Sequence, residues 1–375
     1  MKHLAIVTMQ LKTPGGIERF VTTLANLLAD HFEITIVANY GRPSDPIAFP
    51  LDPRVKLHFL TPNQPAEVSM KSLLAHPAKW LTIPAELRRR HQIAATQHQV
   101  FHNFFHNFST DFIITDRTLY NILITQHYSG PALKIATDHN FHQNSQKFIT
   151  KLLDSIKTFE YLIVATDELR DFYASRTTVK CLTIANPLSS IPTQKSPLAT
   201  NNLLSVGRLV PEKDFSLLIS AMSLVHEKNP SLHLIIIGDG SERTNLKTQI
   251  HSLGLDKAIT LTGWLPQSTI NNYYLDSSLY VSTSRTEAFG LTIAEAMSYG
   301  LPCLALSRAS GARAQITKDT GILLDTPTPD AIAAAILDYF DHPDFRKSLQ
   351  QNPTKLTKSK YSPSAIKEKW LKILR

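Results

Sequence analysis

The sequence predicts an α/β protein with two domains, each built on a parallel sheet that helices cover on both faces. Short apolar runs that end in glycine or small polar residues alternate with stretches of helical periodicity along most of the chain. Uninterrupted apolar strands of this kind are typical of parallel sheets buried on both faces. The length of 375 residues corresponds to two domains at ~150 residues each. We expect the boundary in the run rich in proline, serine and threonine that begins at Asn186 and lacks periodicity.

Composition and charge restrict the partners and the compartment. The net charge of +8 favours anionic partners such as nucleotide phosphates, acidic polymers or an anionic membrane face, but the excess is too diffuse to indicate nucleic acid. Cys181 and Cys303 lie far apart, which excludes a disulfide framework and a cysteine-based metal site. No apolar run approaches the ~18 residues of a spanning helix. The first ten residues show no cleavage site and favour a core strand, so we expect a cytoplasmic protein.

The first domain should begin with a strand, a glycine pair and a helix. Leu4–Thr8 is the strand, and Gly15-Gly16 opens a helix with apolar periodicity. His139 follows a later strand, Lys134–Thr137, and in a parallel sheet it would face the same crevice as the glycine pair. The glycines are equally consistent with a tight connection, and the histidine with a satisfied strand end. The other strands predicted for this domain are Glu33–Ala38, Val55–Leu60, Phe112–Thr115, Ile122–Thr125 and Tyr161–Ala165.

Two features of the irregular region between residues 65 and 110 have alternative interpretations. The basic segment 71–91 combines Lys71, Lys79 and Arg88-Arg89-Arg90 with Trp80 and several leucines. It suits either an anionic bilayer surface or a solvated helix face beside a cleft. His98, His102 and His106 share one helical face, a spacing that can ligate a metal. No carboxylate or cysteine stands nearby to complete a site, so we expect a polar helix face and no metal.

The second domain should start at Asn202 with a strand that leads into two cations. After Leu203–Val206, Arg208 and Lys213 lie across a strand-to-helix turn, where both can converge on one diphosphate. Charge-assisted hydrogen bonds of roughly 1.5–3 kcal/mol each would neutralise such a leaving group. The alternation then continues through strands predicted at Leu232–Ile237, Ile259–Thr262, Leu279–Val281, Pro302–Leu306 and Gly321–Leu324, and through helices at Asp330–Phe340 and Ser364–Leu374.

The chemistry is most specific in the strand, loop and helix of residues 279–300. The amides near Phe289, Gly290, Leu291 and Thr292 form a helix N-terminus, where an anion can bind to unpaired N–H groups. Carboxylates bracket this turn at Glu287 and Glu295. An acid beside a phosphate is unfavourable unless it bonds something neutral, and sugar hydroxyls are suitable partners. The alternative is a buried connection in which Glu295 complements the helix dipole, worth roughly 0.3–1 kcal/mol.

Taken together, these motifs resemble those of the retaining glycosyltransferases of the GT-B fold, specifically family 4. The resemblance covers nearly the full length and is strongest from residue 202 to 324. It rests on Gly207-Arg208 with Lys213, Ile236–Gly240, Gly263-Trp264, and the E-x7-E signature from Glu287 to Glu295. The stretch Ser310–Gln315 departs from the Gly-Gly and acidic residue of many relatives.

The resemblance implies an architecture and a role for each matching residue. It implies an acceptor domain over residues 1–185, a nucleotide-sugar domain over 186–360, and a helix over 361–375 that crosses back to the first domain. Gly15 and Gly16 match the pair that meets the donor phosphates and the acceptor. The other matches are Arg208 and Lys213 on the diphosphate, Glu287 on the donor sugar, Glu295 on the ribose, Phe289, Gly290, Leu291 and Thr292 at the phosphate-binding turn, Trp264 beside the nucleotide, and His139 at the reaction centre.

The implied reaction is transfer of a hexose from a nucleotide diphosphate sugar, expected to be a UDP-sugar, with retention of configuration. The acceptor would be a hydroxyl of a cell-envelope polysaccharide, a teichoic-acid-like polymer or a lipid-linked saccharide. The sequence suggests no cofactor beyond the donor substrate, and the protein could contact the inner membrane face peripherally. A catalytically silent relative that binds sugar or supports another glycosyltransferase is the alternative, although the intact Arg208, Lys213, Glu287 and Glu295 argue against it.

Overall fold

The computed structural model describes residues 1–66, 74–75, 77–140, 145–349 and 352–375, without the side chains of 77–79. Lys71 of the basic segment therefore lies outside the described residues, as does the side chain of Lys79. Within the described residues, no helix is long and apolar enough to cross a bilayer.

The first domain contains a sheet of seven strands in the order β3-β2-β1-β4-β5-β6-β7. Every neighbouring pair is parallel. The strands are almost entirely buried at the centre, as their apolar sequences predict. Their bounds are His3–Thr8 (β1), Glu33–Tyr40 (β2), Lys56–Thr61 (β3), Phe112–Thr115 (β4), Leu133–Asp138 (β5), Tyr161–Val164 (β6) and Lys180–Thr183 (β7).

Helices cover both faces of this sheet, and one of them replaces a predicted strand. They are Gly16–Leu28 (α1), Ile83–Phe105 (α2), Thr118–His127 (α3), Gln146–Ser155 (α4) and Asp167–Ala174 (α5), and a 3-10 turn at Pro77–Thr82 precedes α2. The strand predicted at Ile122–Thr125 is wrong, because these residues lie within α3. Leu123 and Ile124 form the buried face of that helix. A short apolar run does not distinguish a strand from one buried face of a helix.

The second domain repeats the design with six parallel strands in the order β10-β9-β8-β11-β12-β13. The strands are Asn202–Val206 (β8), His233–Ile237 (β9), Ile259–Gly263 (β10), Leu279–Ser282 (β11), Cys303–Leu306 (β12) and Gly321–Leu324 (β13). The helices are Phe215–Lys228 (α6), Arg243–Ser252 (α7), Gln267–Leu275 (α8), Leu291–Ser298 (α9), Ser310–Gln315 (α10), Pro329–Asp341 (α11), Pro343–Leu349 (α12) and Asn352–Lys360 (α13).

The last helix, Pro363–Ile373 (α14), packs on α1 of the first domain. Ser362 caps it by accepting a hydrogen bond from the Ala365 amide at 3.2 Å. Trp370 is fully buried, with its ring centroid 6.4 Å from that of Phe20. The apolar face of α14 therefore completes the core of the first domain.

Both sheets reverse their strand order at an equivalent position. In the first sheet β1 lies between β2 and β4, and in the second β8 lies between β9 and β11. Connections leave such a switch point in opposite directions, which opens a crevice at the carboxyl ends of the strands. The GT-B architecture predicted from the sequence is confirmed, and its two crevices are the places to look for ligands.

Candidate active site

Two loops of the second domain meet at the switch point between β8 and β11. The ammonium of Lys213 pairs with Oε1 of Glu287, and Ser284 Oγ donates to the same oxygen at 3.1 Å. Thr283 Oγ1 donates to the backbone carbonyls of Lys213 and Asp214 at 3.2 and 2.9 Å, so this side chain joins one loop to the backbone of the other. Two of the predicted site residues, Lys213 and Glu287, are therefore in direct contact.

The second predicted cation, Arg208, lies at the mouth of the crevice with an exposed side chain. Its charge acts across the cleft on Glu18, in the first turn of α1. Burial raises the pKa of Glu18, and the charges of Arg117 and Arg208 partly oppose that rise. The charge of Arg208 thus reaches a carboxylate of the first domain, whereas Lys213 pairs with a carboxylate of its own domain.

The N-terminus of α9 has the geometry of an anion site. Gly290 precedes the helix with φ 83° and ψ 63°, a left-handed conformation that favours glycine. The amide of Ile293 donates to the Gly290 carbonyl at 3.0 Å. The amides of Leu291 and Thr292 are therefore the first two at the N-terminus of the helix. The Thr292 hydroxyl accepts a 2.7 Å hydrogen bond from Tyr280. This end of α9 is therefore held by β11, the strand that precedes it.

Phe289 takes a different position from the one its motif suggested. Its side chain is 3% exposed and packs edge-on against Tyr361, with ring centroids 5.2 Å apart. It belongs to an apolar cluster that also contains Phe20 and Trp370. Phe289 therefore contributes backbone to the turn, while its ring joins the second domain to the core of the first.

The stretch Ser310–Gln315, which departs from the family pattern, holds this turn in place through hydrogen bonds. The Gly311 amide and the Ser310 hydroxyl donate to the Glu287 carbonyl at 2.8 and 2.9 Å. The Gln315 amide group donates to the carbonyls of Phe289, Gly290 and Gly311, at 3.2 Å for Gly290. A Cβ on Gly311 would lie 2.2 Å from the Phe289 carbonyl oxygen. Only glycine allows α10 to approach the turn so closely.

Glu295 is buried at the domain boundary and pairs with an arginine that sequence reasoning missed. It is 4% exposed, and Tyr274 donates to its Oε2 at 3.0 Å. Its Oε1 forms an ion pair with Arg19 of α1, in the first domain. Arg19 also donates to Gln267 at 3.1 Å. The tertiary structure alone brings Arg19 to this carboxylate, because the two residues lie far apart in the sequence.

The glycine pair opens α1 without positive φ. Gly15 caps the helix in an extended conformation, φ −135° and ψ 166°. A Cβ at Gly15 would lie 2.3 Å from Oε2 of Glu18, whereas one at Gly16 would meet open space. A side chain at position 15 would therefore displace the Glu18 carboxylate, whereas position 16 has open space beside it.

His139 lies at the end of β5, beside α1, where its ring centroid is 4.6 Å from that of Phe20. Its Nε2 is 3.1 Å from Thr137 Oγ1. Burial, and to a lesser extent the charge of Arg117, lowers the pKa of His139 to about 4. The ring is therefore neutral at neutral pH and can exchange hydrogen bonds with a hydroxyl.

A buried acid near this histidine was not predicted from the sequence. Asp116 follows β4 and accepts a 2.5 Å hydrogen bond from Thr8 at the end of β1. Burial raises the pKa of Asp116 to about 7, although Arg117 opposes the rise. Its position after an apolar strand was the available signal, since polar residues at strand ends line the crevice of a parallel sheet.

Trp264 and the histidines His98, His102 and His106 are the remaining residues singled out from the sequence. Trp264 follows β10 and its side chain is 58% exposed. On α2, His98 Nδ1 lies 3.0 Å from Nε2 of His127 on α3. Among the residues that the structure describes, no three histidine, cysteine, aspartate or glutamate side chains are grouped so that they could hold a metal ion.

Comparison with known proteins shows which family model and which solved structures this chain is similar to. Residues 190–356 match the family model described as glycosyl transferases group 1. The amylovoran biosynthesis glycosyltransferase AmsD of Erwinia amylovora is 24% identical over 389 residues, spanning 100% of both chains. A TarM variant from S. aureus, solved with fondaparinux, alpha-GlcNAc-glycerol and UDP, superposes with a TM-score of 0.79 at 15% identity over 100% of both chains. HepE of Anabaena, solved with UDP-glucose, superposes with a TM-score of 0.74 at 17% identity, covering 100% of this chain and 99% of the HepE chain. Residues 190–356 of this chain therefore match the model of the group 1 glycosyl transferases, and the chain as a whole has a GT-B fold.

Proposed function

We propose that the protein transfers a hexose from a UDP-sugar to a hydroxyl of a cell-envelope saccharide with retention of configuration. The observation that carries this proposal is the arrangement around α9. A helix N-terminus, the cation Lys213 and the carboxylates Glu287 and Glu295 lie together at one switch point. This set offers donors to a diphosphate and acceptors to sugar hydroxyls, which is the pattern that a nucleotide sugar requires.

The donor is proposed to bind by exchanging partners within the existing contacts. A diphosphate at the amides of Leu291 and Thr292 would attract Lys213, which now pairs with Glu287. Glu287 would then be free to accept from hydroxyls of the donor sugar. Arg208 would approach the same phosphates from the mouth of the crevice. UDP is the favoured nucleotide because TarM and HepE, which share this fold, were solved with UDP or UDP-glucose.

The proposed mechanism relies on stabilising the departing diphosphate. Its developing charge would be met by the helix amides, which are already in place, and by Arg208 and Lys213 once they have moved onto the phosphates. A diphosphate oxygen would take the acceptor proton on the same face of the sugar that the leaving group departs from, which accounts for retention. The neutral His139 ring would orient a hydroxyl of the sugar. Because protein cations meet the charge of the leaving group, this mechanism does not depend on a metal.

The acceptor is proposed to be a saccharide of the cell envelope. AmsD is named for amylovoran biosynthesis and TarM was solved with alpha-GlcNAc-glycerol, so relatives of this chain act on or bind such sugars. The net charge of +8 suits an anionic polymer or an anionic membrane that carries a lipid-linked acceptor.

Membrane contact is proposed through the segment that leads into α2. Leu74, Trp80, Leu81 and Leu87 are 58%, 56%, 91% and 54% exposed, and Arg88 is exposed beside them. Exposed tryptophan and leucine next to arginine suit the interface of an anionic bilayer. Reversing Arg88, Arg89 and Arg90 to glutamate should abolish binding to phosphatidylserine vesicles. Unchanged binding would refute this contact.

The decisive experiment is turnover of UDP-sugars by the wild type and by Arg208→Ala and Lys213→Ala. Loss of one charge-assisted contact of ~1.5–3 kcal/mol should lower turnover by about ten- to a hundredfold. Arg54→Ala is the control, because Arg54 is an exposed cation of the first domain that pairs with Asp52. Normal turnover in Lys213→Ala would contradict the proposed role. A protein that binds UDP but transfers nothing would favour the alternative of a silent partner.

A further inference from the structure

The ion pair between Arg19 and Glu295 occupies the carboxylate that the proposed function assigns to the ribose. Arg19 lies in the first turn of α1, three residues after Gly16 of the first domain. Glu295 lies in the middle of α9, in the second domain. The contact therefore spans the cleft at the point where the nucleotide is proposed to bind.

Burial closes this carboxylate to a ligand in the present arrangement. The side chains of Arg19 and Glu295 are only 12% and 6% exposed. The Tyr274 hydroxyl holds the other carboxylate oxygen at 3.0 Å. A ribose can therefore reach Glu295 only after the guanidinium of Arg19 has moved away.

Arg19 has further contacts besides the ion pair with Glu295. Its Nη2 lies 3.3 Å from Ser189 Oγ, and its guanidinium lies 5.9 Å from the ring centroid of Phe49. These groups belong to the first domain and to the connection between the domains. The guanidinium can thus leave the carboxylate without losing all of its partners.

We propose that Arg19 is an intramolecular competitor of the nucleotide, which holds Glu295 until ribose hydroxyls replace it. This inference rests on the proposed function. Binding of the nucleotide then breaks the ion pair between α1 and α9. Occupancy of the donor site is therefore coupled to the contact between the two domains. The apparent affinity is reduced by the fraction of molecules in which Arg19 blocks the site.

The test is a calorimetric double-mutant cycle with UDP as the probe, using Arg19→Ala, Glu295→Gln and the double variant. Arg19→Ala should bind UDP roughly tenfold more tightly than the wild type, because no competitor remains. The same substitution should have no effect in the Glu295→Gln background, since its effect acts through that carboxylate. Arg54→Ala, which removes an exposed cation of the same domain, should leave UDP affinity unchanged.

Pyrophosphate is the matched probe, because it has the two phosphates of UDP and no ribose. Arg19→Ala should leave its affinity unchanged. Weaker binding of both UDP and pyrophosphate would show that Arg19 binds phosphate, and would overturn the inference. Equal UDP affinity in wild type and Arg19→Ala would also overturn it, while leaving the proposed function intact. If UDP, GDP and ADP bind neither protein, the proposed function fails and the inference fails with it.

Discussion

Replacing Gln315 with leucine should damage the anion-binding turn without touching any residue proposed to contact the ligand. Gln315 is 0% exposed, and its amide group donates to the carbonyls of Phe289, Gly290 and Gly311. Leucine has nearly the same volume but offers no donor. The carbonyls that lose this partner are buried between α10 and the turn.

The size of the effect follows from the burial of those carbonyls. Leaving a buried acceptor unsatisfied costs ~1–3 kcal/mol. In a domain of this size, each kcal/mol of lost stability lowers the melting temperature by ~2–4 °C. The turn that carries Glu287 and Gly290 should also become less well defined, so UDP affinity should fall along with stability.

The assay combines thermal unfolding with UDP calorimetry and includes a matched control. Gln249 also donates to a backbone carbonyl, that of Ser216 at 3.0 Å, but it is partly exposed and water can replace it. Gln249→Leu should therefore change the melting temperature by less than ~2 °C. A Gln315→Leu protein as stable as that control, with normal UDP affinity, would refute the assigned role of Gln315 in holding the turn.

Three further predictions concern the scaffold and the reaction centre. Trp370→Ala should lower the free energy of unfolding by ~3–5 kcal/mol, because the ring is fully buried against α1. Trp264 is exposed, so Trp264→Ala should change the free energy of unfolding little. Equal effects of the two substitutions in urea unfolding would contradict the packing of Trp370. Gly238→Ala should destabilise far more than Gly254→Ala, since both have positive φ but only at Gly238 would a Cβ meet a backbone oxygen, at 1.9 Å. The pKa of His139 should be about 4 by NMR, and the free energy of unfolding should decrease as the pH falls from 6.5 toward 4, because the unfolded chain binds this proton before the folded protein does. A pKa above 6 would contradict the desolvation of the ring.

Most strands and helices could be predicted from the sequence, because buried parallel strands and amphipathic helices carry strong local patterns. The strand predicted at Ile122–Thr125 was wrong because tertiary packing, and not the local apolar run, decided its conformation. The contact between Lys213 and Glu287 joins two loops that the strand order brings together, so topology was sufficient to expect their proximity.

The pair formed by Arg19 and Glu295 could not be predicted in the same way. It depends on how the two domains meet, and no periodicity or spacing encodes that geometry. The role of Gln315 could not be predicted either, because its partners are backbone carbonyls, which every residue type has. In the sequence, Ser310–Gln315 only departs from a family pattern. In the structure, this stretch donates hydrogen bonds to the turn that precedes α9.

The most direct test of the account is calorimetric binding of UDP, GDP and ADP and their sugars to the wild type and to Glu295→Ala. We predict that UDP binds to the wild type and that the substitution weakens binding by about tenfold or more, because the hydroxyl contacts of a carboxylate are worth ~1.5–3 kcal/mol. Absence of binding by every nucleotide, or equal UDP affinity in the two proteins, would contradict the assignment of Glu295 and the cleft to a nucleotide sugar.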